Sequence, residues 1–145
     1  MKRLLVVEPD VALGHLLQSR SERIARATVC RDFISARARL LASPPDLLVT
    51  NLRLDEYNGL HLVLLASSGA GTTRSIVHSD RPDPYLIREA RSIGAFFEQT
   101  ERLSYSLAGY LSFELPHKDR RHSDRYDRRS AFRGGRRSAD VAIPA

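Results

Sequence analysis

The sequence has almost no cysteine, no tryptophan and no long apolar run. Cys30 is the single cysteine among 145 residues, so no internal disulfide can form, and a small disulfide-stapled scaffold is excluded. No apolar run approaches the ~18 residues of a membrane-spanning helix. The apolar segment after Arg3 is also too short for a secretory signal. From these absences we expect a cytoplasmic protein without a membrane partner.

Positive charge is concentrated at the carboxyl end of the chain. Residues 116–145 hold nine Lys or Arg and four Asp, whereas the remainder is close to neutral. This end has few apolar residues, so it cannot bury enough surface to form a core of its own. We therefore predict a domain over residues 1–115 and a disordered, Arg-rich tail over residues 116–145. Any polyanion partner must then be bound by that tail.

Five short apolar segments predict the strands of a parallel sheet. Each is bounded by polar, Gly or Pro residues, and continuous apolar runs of this kind are typical of strands buried on both faces. The predicted strands are Leu4–Val7, Ala27–Cys30, Asp46–Asn51, Ser75–Ser79 and Ala95–Phe97.

Apolar residues at helical spacing follow these segments. Asp10, Asp32 and Asp83 each precede such a stripe and are predicted to cap the helix that begins there. Strands that alternate with helices predict an α/β fold, a doubly wound five-stranded parallel sheet with helices on both faces. The predicted inward-facing stripes are Leu13, Leu16 and Leu17; Ile34, Ala38 and Leu41; Leu60, Val63 and Leu64; Leu86, Ile87, Ala90 and Ile93; and Leu103, Leu107, Tyr110 and Leu111.

Polar residues end the predicted strands, and their order along the chain resembles that of a known family. Glu8-Pro9 follows the first strand, Asn51 ends the third, Ser79 ends the fourth, and Gly94-Ala95 introduces the fifth. Over residues 2–113 this pattern resembles the receiver domain of bacterial two-component response regulators. The resemblance implies a flavodoxin-like fold.

The resemblance also implies a phosphorylation site, and this chain departs from it. In the family, two acidic residues after the first strand hold magnesium, an aspartate ending the third strand accepts the phosphoryl group, and a lysine follows the fifth strand. The matching positions here are Glu8-Pro9, Asn51 and Gln99-Thr100. Because a neutral amide oxygen is a poor nucleophile, Asn51 is interpreted as a vestigial phosphoacceptor position, and Glu8 with Asp10 as a vestigial acidic pocket. We expect no enzymatic activity, no cofactor and no metal.

The other polar residues at these strand ends are interpreted through the same resemblance. Ser79 and Gln99 occupy switch-like positions. Ligands of such sheets bind outside the carboxyl ends of the strands, so Glu8, Asn51 and Ser79 are expected to converge there, around a small polar ligand or only on one another and water. The five histidines show no metal-ligand spacing and are expected to be ordinary surface or core residues.

The leading functional hypothesis is a pseudo-receiver, an atypical response-regulator protein of signal transduction that acts by phosphorylation-independent protein–protein interaction. In the resembling family, the last two helices and the fifth strand mediate output and dimerisation. We therefore expect a signalling protein, or a second copy of the chain, to bind there. The candidate contacts are Arg88, Arg91, Arg102, Tyr105 and Tyr110, together with Gln99.

The tail supports a second hypothesis, that of a nucleic-acid-associated protein. Arginines interleaved with Phe132 and with glycines suit the binding of phosphates and stacking on bases. The tail could equally bind an acidic protein surface, or remain solvated, because its aspartates dilute the field. A phosphorylatable regulator with another acceptor residue is the third alternative. The candidate polyanion contacts are Arg128, Arg129, Arg133, Arg136 and Arg137.

Overall fold

The computed structural model describes residues 1–69, 72–81 and 83–116. These residues form seven strands and five helices, which alternate along most of the chain. The strands are β1 (Lys2–Val7), β2 (Ala25–Cys30), β3 (Leu47–Asn51), β4 (Arg53–Leu54), β5 (Tyr57–Asn58), β6 (Arg74–Ser79) and β7 (Phe96–Gln99). The helices are α1 (Val11–Ser21), α2 (Phe33–Ala42), α3 (Leu60–Ser68), α4 (Pro84–Ser92) and α5 (Thr100–Ser112).

Five of the strands form one parallel sheet in the order β2-β1-β3-β6-β7. Strand β2 lies on one side of β1, and the later strands β3, β6 and β7 follow one another on its other side. This is the arrangement of the flavodoxin-like doubly wound fold. The predicted fold is therefore confirmed, and all five predicted strands are present. Because the strands are parallel, their carboxyl ends lie at one edge of the sheet.

Helices cover both faces of this sheet and create two separate cores. On one face, α1 and α5 pack Leu17, Leu103 and Leu107 against β-strand residues that include Leu4 and Val6. On the other face, residues of α2, α3 and α4 pack against the alternate residues of the strands, whose side chains point the opposite way. The apolar members of this second core include Leu5, Val7, Ala36, Leu40, Leu48, Leu62, Val63, Val77 and Ala90.

Aspartates cap three of the helices, as the sequence predicts. The side chain of Asp10 accepts from Leu13 N at 3.1 Å, and that of Asp32 accepts from Ser35 N at 2.7 Å. Asp83 accepts from Tyr85 N at 3.0 Å. The backbone hydrogen bond from Ser35 lowers the pKa of Asp32, because a capping carboxylate is stabilised in its charged form.

The predicted inward face of α2 is wrong. Ile34 and Leu41 are 61% and 56% exposed, and Ala38 is exposed as well, whereas the residues that enter the core are Phe33, Ala36 and Leu40. Both sets have helical spacing, so periodicity alone could not choose between them. Contacts with residues distant in sequence determine which face of α2 is buried, since the ring of Phe33 stacks on Tyr57 with centroids 4.4 Å apart.

Single residues of two other predicted stripes also face outward. Leu16 of α1 is 39% exposed and Leu64 of α3 is 48% exposed, so neither belongs to the core predicted for it. Leu17 is fully buried, and Leu62, which the predicted stripe omitted, is fully buried too. In both helices the buried face is rotated by about one residue from the predicted one, which at about 100° per residue is enough to expose a leucine.

A short hairpin between β3 and α3 has no counterpart in the predicted elements. Strands β4 and β5 pair antiparallel, and Asp55 adopts a left-handed conformation with φ of 56° at the turn. Asn58 and Gly59 lead into α3, and Asn58 Oδ1 accepts from Leu60 N at 2.8 Å. Gly59 is required by close approach, because a Cβ atom there would lie 2.3 Å from the carbonyl oxygen of Asn51.

Some predictions concern residues outside those that the structure describes. Residues 117–145, which include almost all of the predicted tail, are among them. The boundary between residues 115 and 116 therefore stays a prediction. Within the described residues, every helix is too short or too polar to cross a membrane.

Candidate functional site at the carboxyl end of the sheet

Three polar side chains meet where β1, β3 and β6 end. Glu8 follows β1 directly and is 2% exposed, and its carboxylate accepts from Asn51 Nδ2 at 3.1 and 3.3 Å. His78 lies beside Asn51 in the register between β3 and β6 and is fully buried. Its Nε2 lies 3.1 Å from Glu8 Oε1, close enough for an ion pair although not aligned for a hydrogen bond. Sheet pairing thus places an acid, an amide and an imidazole in contact.

His78 extends this group of residues to the start of α5. Its Nδ1 lies 2.9 Å from the hydroxyl oxygen of Thr100, the first residue of that helix. In the tautomer with its proton on Nε2, the ring leaves Nδ1 to accept the Thr100 hydroxyl proton. A continuous line of polar contacts therefore joins the end of β1 to the beginning of α5. We call Glu8, Asn51, His78 and Thr100 the buried polar network.

The network keeps the Glu8 carboxylate ionised. Burial raises the pKa of Glu8, because a low-dielectric environment disfavours charge. His78, the backbone N–H of Asp10 and the Asn51 amide oppose this effect, and together they leave the pKa of Glu8 below its ordinary value. The Asp10 N–H contact measures 3.0 Å to Oε2. Both carboxylate oxygens thus have donors from the protein itself.

The orientation of the Asn51 amide is fixed from both sides. Its Nδ2 donates to Glu8, and its Oδ1 accepts from the backbone N–H of Arg53 at 3.0 Å. An aspartate at this position would present an oxygen to Glu8 instead of a donor, and two carboxylates in contact repel each other unless a cation or a proton lies between them. Asn51 therefore contacts Glu8 without the cation or proton that an aspartate at this position would require.

Asp10 lies near this network but serves another purpose. Its backbone N–H binds Glu8, whereas its exposed side chain caps α1 through Leu13 N. Among the described residues, His, Cys, Asp and Glu side chains form no group of three or more that could hold a metal ion. The chemistry present is that of an acid whose hydrogen-bond donors are an amide and a backbone N–H, with an imidazole in contact beside it.

Ser79 and Gln99 lie apart from the network. The Ser79 hydroxyl accepts from Arg81 N and donates to Arg81 O, both at 3.1 Å, so it closes a tight turn after β6. Neighbouring residues of a strand point to opposite faces, which is why His78 and not Ser79 reaches Glu8. Gln99 ends β7 opposite Ser79 in the register and is exposed.

The residues predicted to contact a partner are distributed around the edge strand β7. Arg88 on α4 and Arg102 on α5 are exposed, and Tyr105 is 76% exposed with Arg20 Cζ 5.4 Å from its ring centroid. Arg91 is half-buried. Tyr110 is also half-buried: its ring packs against Phe96, and its hydroxyl donates to Glu98 at 2.8 Å. The exposed members of this set are therefore Arg88, Arg102 and Tyr105, together with Gln99. The predicted tail contacts lie outside the described residues.

Sequence reasoning missed the role of His78. The histidines were expected to be unremarkable surface or core residues, and no spacing rule joins His78 to Glu8, which precedes it by 70 positions. One signal was available, because His78 stands second to last in an apolar strand that pairs with β3. A polar residue there shares a sheet face with the end of β3.

The similarity to known proteins is structural. Neither a protein-family model nor a curated protein sequence matches the chain. The response regulator domain of Thermotoga maritima CheB has a TM-score of 0.66 and 19% identity, over 77% of this chain and 94% of that one. A DNA-binding response regulator of the LuxR family from Staphylococcus aureus has a TM-score of 0.70 and 11% identity, over 77% and 97%.

A third solved structure belongs to the same group. The Mn²⁺-bound form of the response regulator Rcp1 has a TM-score of 0.69 and 15% identity, over 80% of this chain and 99% of that one. These proteins share the strand order and helix placement described above, which confirms the resemblance predicted from the strand ends. The chain has the fold of a response-regulator receiver domain.

Proposed function

We propose that the chain is an atypical receiver-like protein of signal transduction, which acts by phosphorylation-independent interaction with a protein partner. The observation that carries this proposal is the hydrogen bond from the Asn51 amide to the Glu8 carboxylate. In a receiver domain that keeps the residues of the resembling family, an aspartate and a cation would be found at this place.

The chemistry of phosphoryl transfer supports this proposal. An acceptor needs an anionic oxygen in line with the phosphorus, and the charge of the incoming phosphate must be offset by a cation. Asn51 has a neutral oxygen, which already accepts from Arg53 N, and Gln99 stands where the resemblance implies a lysine. An acyl phosphate therefore does not form at this position, and we propose that the chain is not an enzyme.

A resident divalent cation is not part of the proposal. The solved Rcp1 structure is a Mn²⁺-bound form, and magnesium or manganese prefers oxygen ligands that include one or two carboxylates. In this chain the Glu8 carboxylate already accepts from Asn51 and from Asp10 N–H, and it contacts His78. A cation at Glu8 would have to displace the Asn51 amide and meet an imidazole.

We propose that the partner binds at the edge formed by α4, β7 and α5. This edge exposes Arg88, Arg102 and Tyr105, side chains of the types that dominate the energetics of many interfaces. A cytoplasmic signalling protein or a second copy of the chain is the expected partner. Nucleic acid bound through the Arg-rich tail is the alternative, and no observation on the described residues favours it.

The first test concerns phosphorylation. The full chain is incubated with a small acyl-phosphate donor and Mg²⁺, and its intact mass is measured. We expect no gain of a phosphoryl group by the wild-type chain. A stable gain at any residue would overturn the proposal, and mapping of the modified residue would then identify the acceptor that the third sequence hypothesis requires.

The second test concerns the partner. The full chain is used to capture proteins from the native cytoplasm, with and without nuclease treatment. One variant replaces Arg88, Arg102 and Tyr105 by alanine, and the other replaces Arg128, Arg129, Arg133, Arg136 and Arg137 by glutamine. We expect a partner that the first variant loses and the second retains. Capture that requires the tail arginines and intact nucleic acid would show that the tail carries the function.

A further inference from the structure

Three arginines line one small cavity at the edge of the sheet. The cavity has a volume of about 200 Å³ and lies between β1, β2 and the last turn of α2. Its charge comes from Arg3 of β1, Arg26 of β2 and Arg39 of α2, and all three residues are exposed. Residues 1–115 are close to neutral as a whole, so this cluster is a local excess of positive charge that the composition does not reveal.

The pairing of β1 with β2 brings two of these arginines together. Arg3 and Arg26 are partners in the parallel register, so their side chains point to the same face of the sheet from strands about 4.8 Å apart. That face is the one covered by α2, because Leu5, two residues after Arg3, belongs to the core that includes α2 residues. Like charges opposite each other on neighbouring strands repel, and Arg39 adds a third positive charge from the helix.

No acidic side chain balances this charge within the part of the chain that the structure describes. The residues that line the cavity include no Asp or Glu, and no described carboxylate forms an ion pair with any of the three arginines. Asp46 is nearby, but its carboxylate accepts from the backbone N–H of Arg3 at 2.8 Å and not from the guanidinium. The positive charge of the cavity is therefore available to an anion from solution.

Two hydroxyl groups add further donors to the cavity. The guanidinium of Arg3 donates to Ser43 Oγ at 2.6 Å and to the carbonyl oxygen of Pro44, so two of its five N–H groups are used and its position is fixed. Ser43 accepts in this contact and keeps its own hydroxyl proton to donate. The hydroxyl of the half-buried Thr28 makes no hydrogen bond within the described residues. The cavity thus offers guanidinium and hydroxyl donors to a ligand.

A phosphate group matches this set of donors better than a carboxylate does. A carboxylate carries one charge and two oxygens, which a single arginine can bind through two parallel hydrogen bonds. A phosphate monoester carries about −1.5 to −2 charges and three acceptor oxygens at neutral pH, so it can contact several guanidinium and hydroxyl groups at once. A water molecule fills about 30 Å³, so a cavity of about 200 Å³ holds a phosphate group and a few further atoms.

We propose that this cavity, which we call the arginine cavity, binds the phosphate group of a small soluble molecule. Arg26 and Arg39 are the principal contacts, and Arg3, Thr28 and Ser43 orient the group. The arginines converge on one cavity and do not follow a line along the surface, which favours a single phosphate over the repeated phosphates of a nucleic acid.

The inference does not depend on the proposed function. Arg3 and Arg26 are each the second residue of their strand, so the arginine cavity lies near the amino ends of β1 and β2. The buried polar network lies at the opposite edge of the sheet, where the strands have their carboxyl ends. The arginine cavity is also separate from the edge formed by α4, β7 and α5, because β2 and β7 are the two outer strands of the sheet.

The test is a titration of the ¹⁵N-labelled full chain with inorganic phosphate, followed by NMR. The spectra separate the signals of the cavity from those of residues 117–145, which contain arginines of their own. We expect saturable shifts at the backbone amide of Thr28 and at the Nε–H groups of Arg26 and Arg39. Acetate at the same ionic strength should produce none, which separates phosphate recognition from general salt effects.

A matched pair of double variants tests the contacts. Arg26→Gln, Arg39→Gln should weaken phosphate binding by about tenfold or more, since hydrogen bonds between charged groups are the strong ones. Arg23→Gln, Arg37→Gln removes the same charge from exposed positions outside the cavity and should leave the affinity unchanged. Without phosphate, the first variant should be at least as stable as the wild type, because it relieves the repulsion between Arg3 and Arg26.

Three results of these experiments would overturn the proposal: the absence of saturable shifts at the cavity, equal shifts with acetate, or equal weakening in both double variants. A single-stranded oligonucleotide that binds more tightly than phosphate, and that Arg26→Gln, Arg39→Gln no longer binds, would instead assign the cavity to a nucleic acid. Glycerol 3-phosphate distinguishes the two sources of the phosphate group. Binding tighter than that of inorganic phosphate assigns the rest of the cavity to a carrier, and weaker binding assigns the site to the free ion.

Discussion

The buried polar network and the outward face of α2 are opposites. In the network, buried and half-buried polar groups contact one another, so that the acid, the amide and the imidazole all have polar neighbours. On α2, the apolar side chains of Ile34 and Leu41 lie in solvent. The resemblance associates Asn51 with signalling chemistry, and the hydrogen bonds of this residue are made within the protein. The resemblance assigns no role to the exposed face of α2, whose apolar side chains lie in solvent.

This difference between the two regions predicts how each responds to substitution. A satisfied buried network resists change, because removing any member leaves a desolvated polar group without a partner. An exposed apolar stripe can gain free energy only by being covered. We therefore expect substitutions in the network to lower folding stability and substitutions of the exposed Ile34 and Leu41 to change it little.

The largest effect is expected from the matched pair Leu40→Ala and Leu41→Ala. Leu40 is 3% exposed and Leu41 is 56% exposed, although they are neighbours on α2. Truncation of the buried leucine should cost about 2–5 kcal/mol through lost contacts and a cavity, and truncation of the exposed one less than about 0.5 kcal/mol. Urea denaturation of both variants measures the difference. Equal losses would mean that α2 packs through the other face.

Removal of the acid of the network should have the next largest effect. Glu8→Ala leaves the Asn51 amide without its acceptor and His78 without its acidic neighbour, and an unsatisfied buried polar group costs about 1–3 kcal/mol. Glu56→Ala, at an exposed position between β4 and β5, is the matched control and should change stability little. A Glu8→Ala variant as stable as this control would show that the network contributes nothing to the fold.

Asn51→Asp tests whether the amide replaces a cation. The new carboxylate would lie against Glu8, and we expect a loss of about 1–3 kcal/mol at neutral pH, partly recovered by millimolar Mg²⁺. Asn58→Asp is the control, because an aspartate retains the oxygen that caps Leu60 N. The prediction fails if Asn51→Asp is neutral without Mg²⁺, since the amide would then not be required beside Glu8.

The smallest effect concerns pH. The pKa of folded Glu8 lies below its ordinary value of 4.5, so its ionised form stabilises the fold above that pH. This contribution is lost as the pH falls through the lowered pKa. The stability difference between the wild type and Glu8→Gln should therefore be full near pH 7 and narrow below about pH 4.5. Asp32 titrates alike in both proteins and cancels. A constant difference down to pH 3 would contradict the lowered pKa.

Much of the fold could be predicted because its signals are local. Leu4–Val7 and Leu47–Asn51 are apolar runs that only a strand buried on both faces explains, and Asp10, Asp32 and Asp83 act as caps within three residues of their own positions. Asn51 was recognised as a departure from an acceptor site because the missing charge is a property of the residue itself.

The face of each helix and the membership of the network could not be predicted in the same way. Two apolar stripes on α2 have equal periodicity, and Phe33 selects one of them by stacking on Tyr57, which follows it by 24 positions in the sequence. His78 joins Glu8 and Thr100 only because β1, β3 and β6 are adjacent in the sheet. None of these contacts lies within one turn of helix or one hairpin.

The sequence by itself therefore determined the strands, the caps, the doubly wound fold and the absence of an anionic acceptor at position 51. Each of these depends on residue type or on spacing within a few positions. Only the tertiary structure decided which leucines of α2 are buried, that His78 and not Ser79 meets Glu8, and that α2 presents a second apolar face to solvent. The physical reason is that burial and polar pairing are set by neighbours in space, which the order of the sheet brings together.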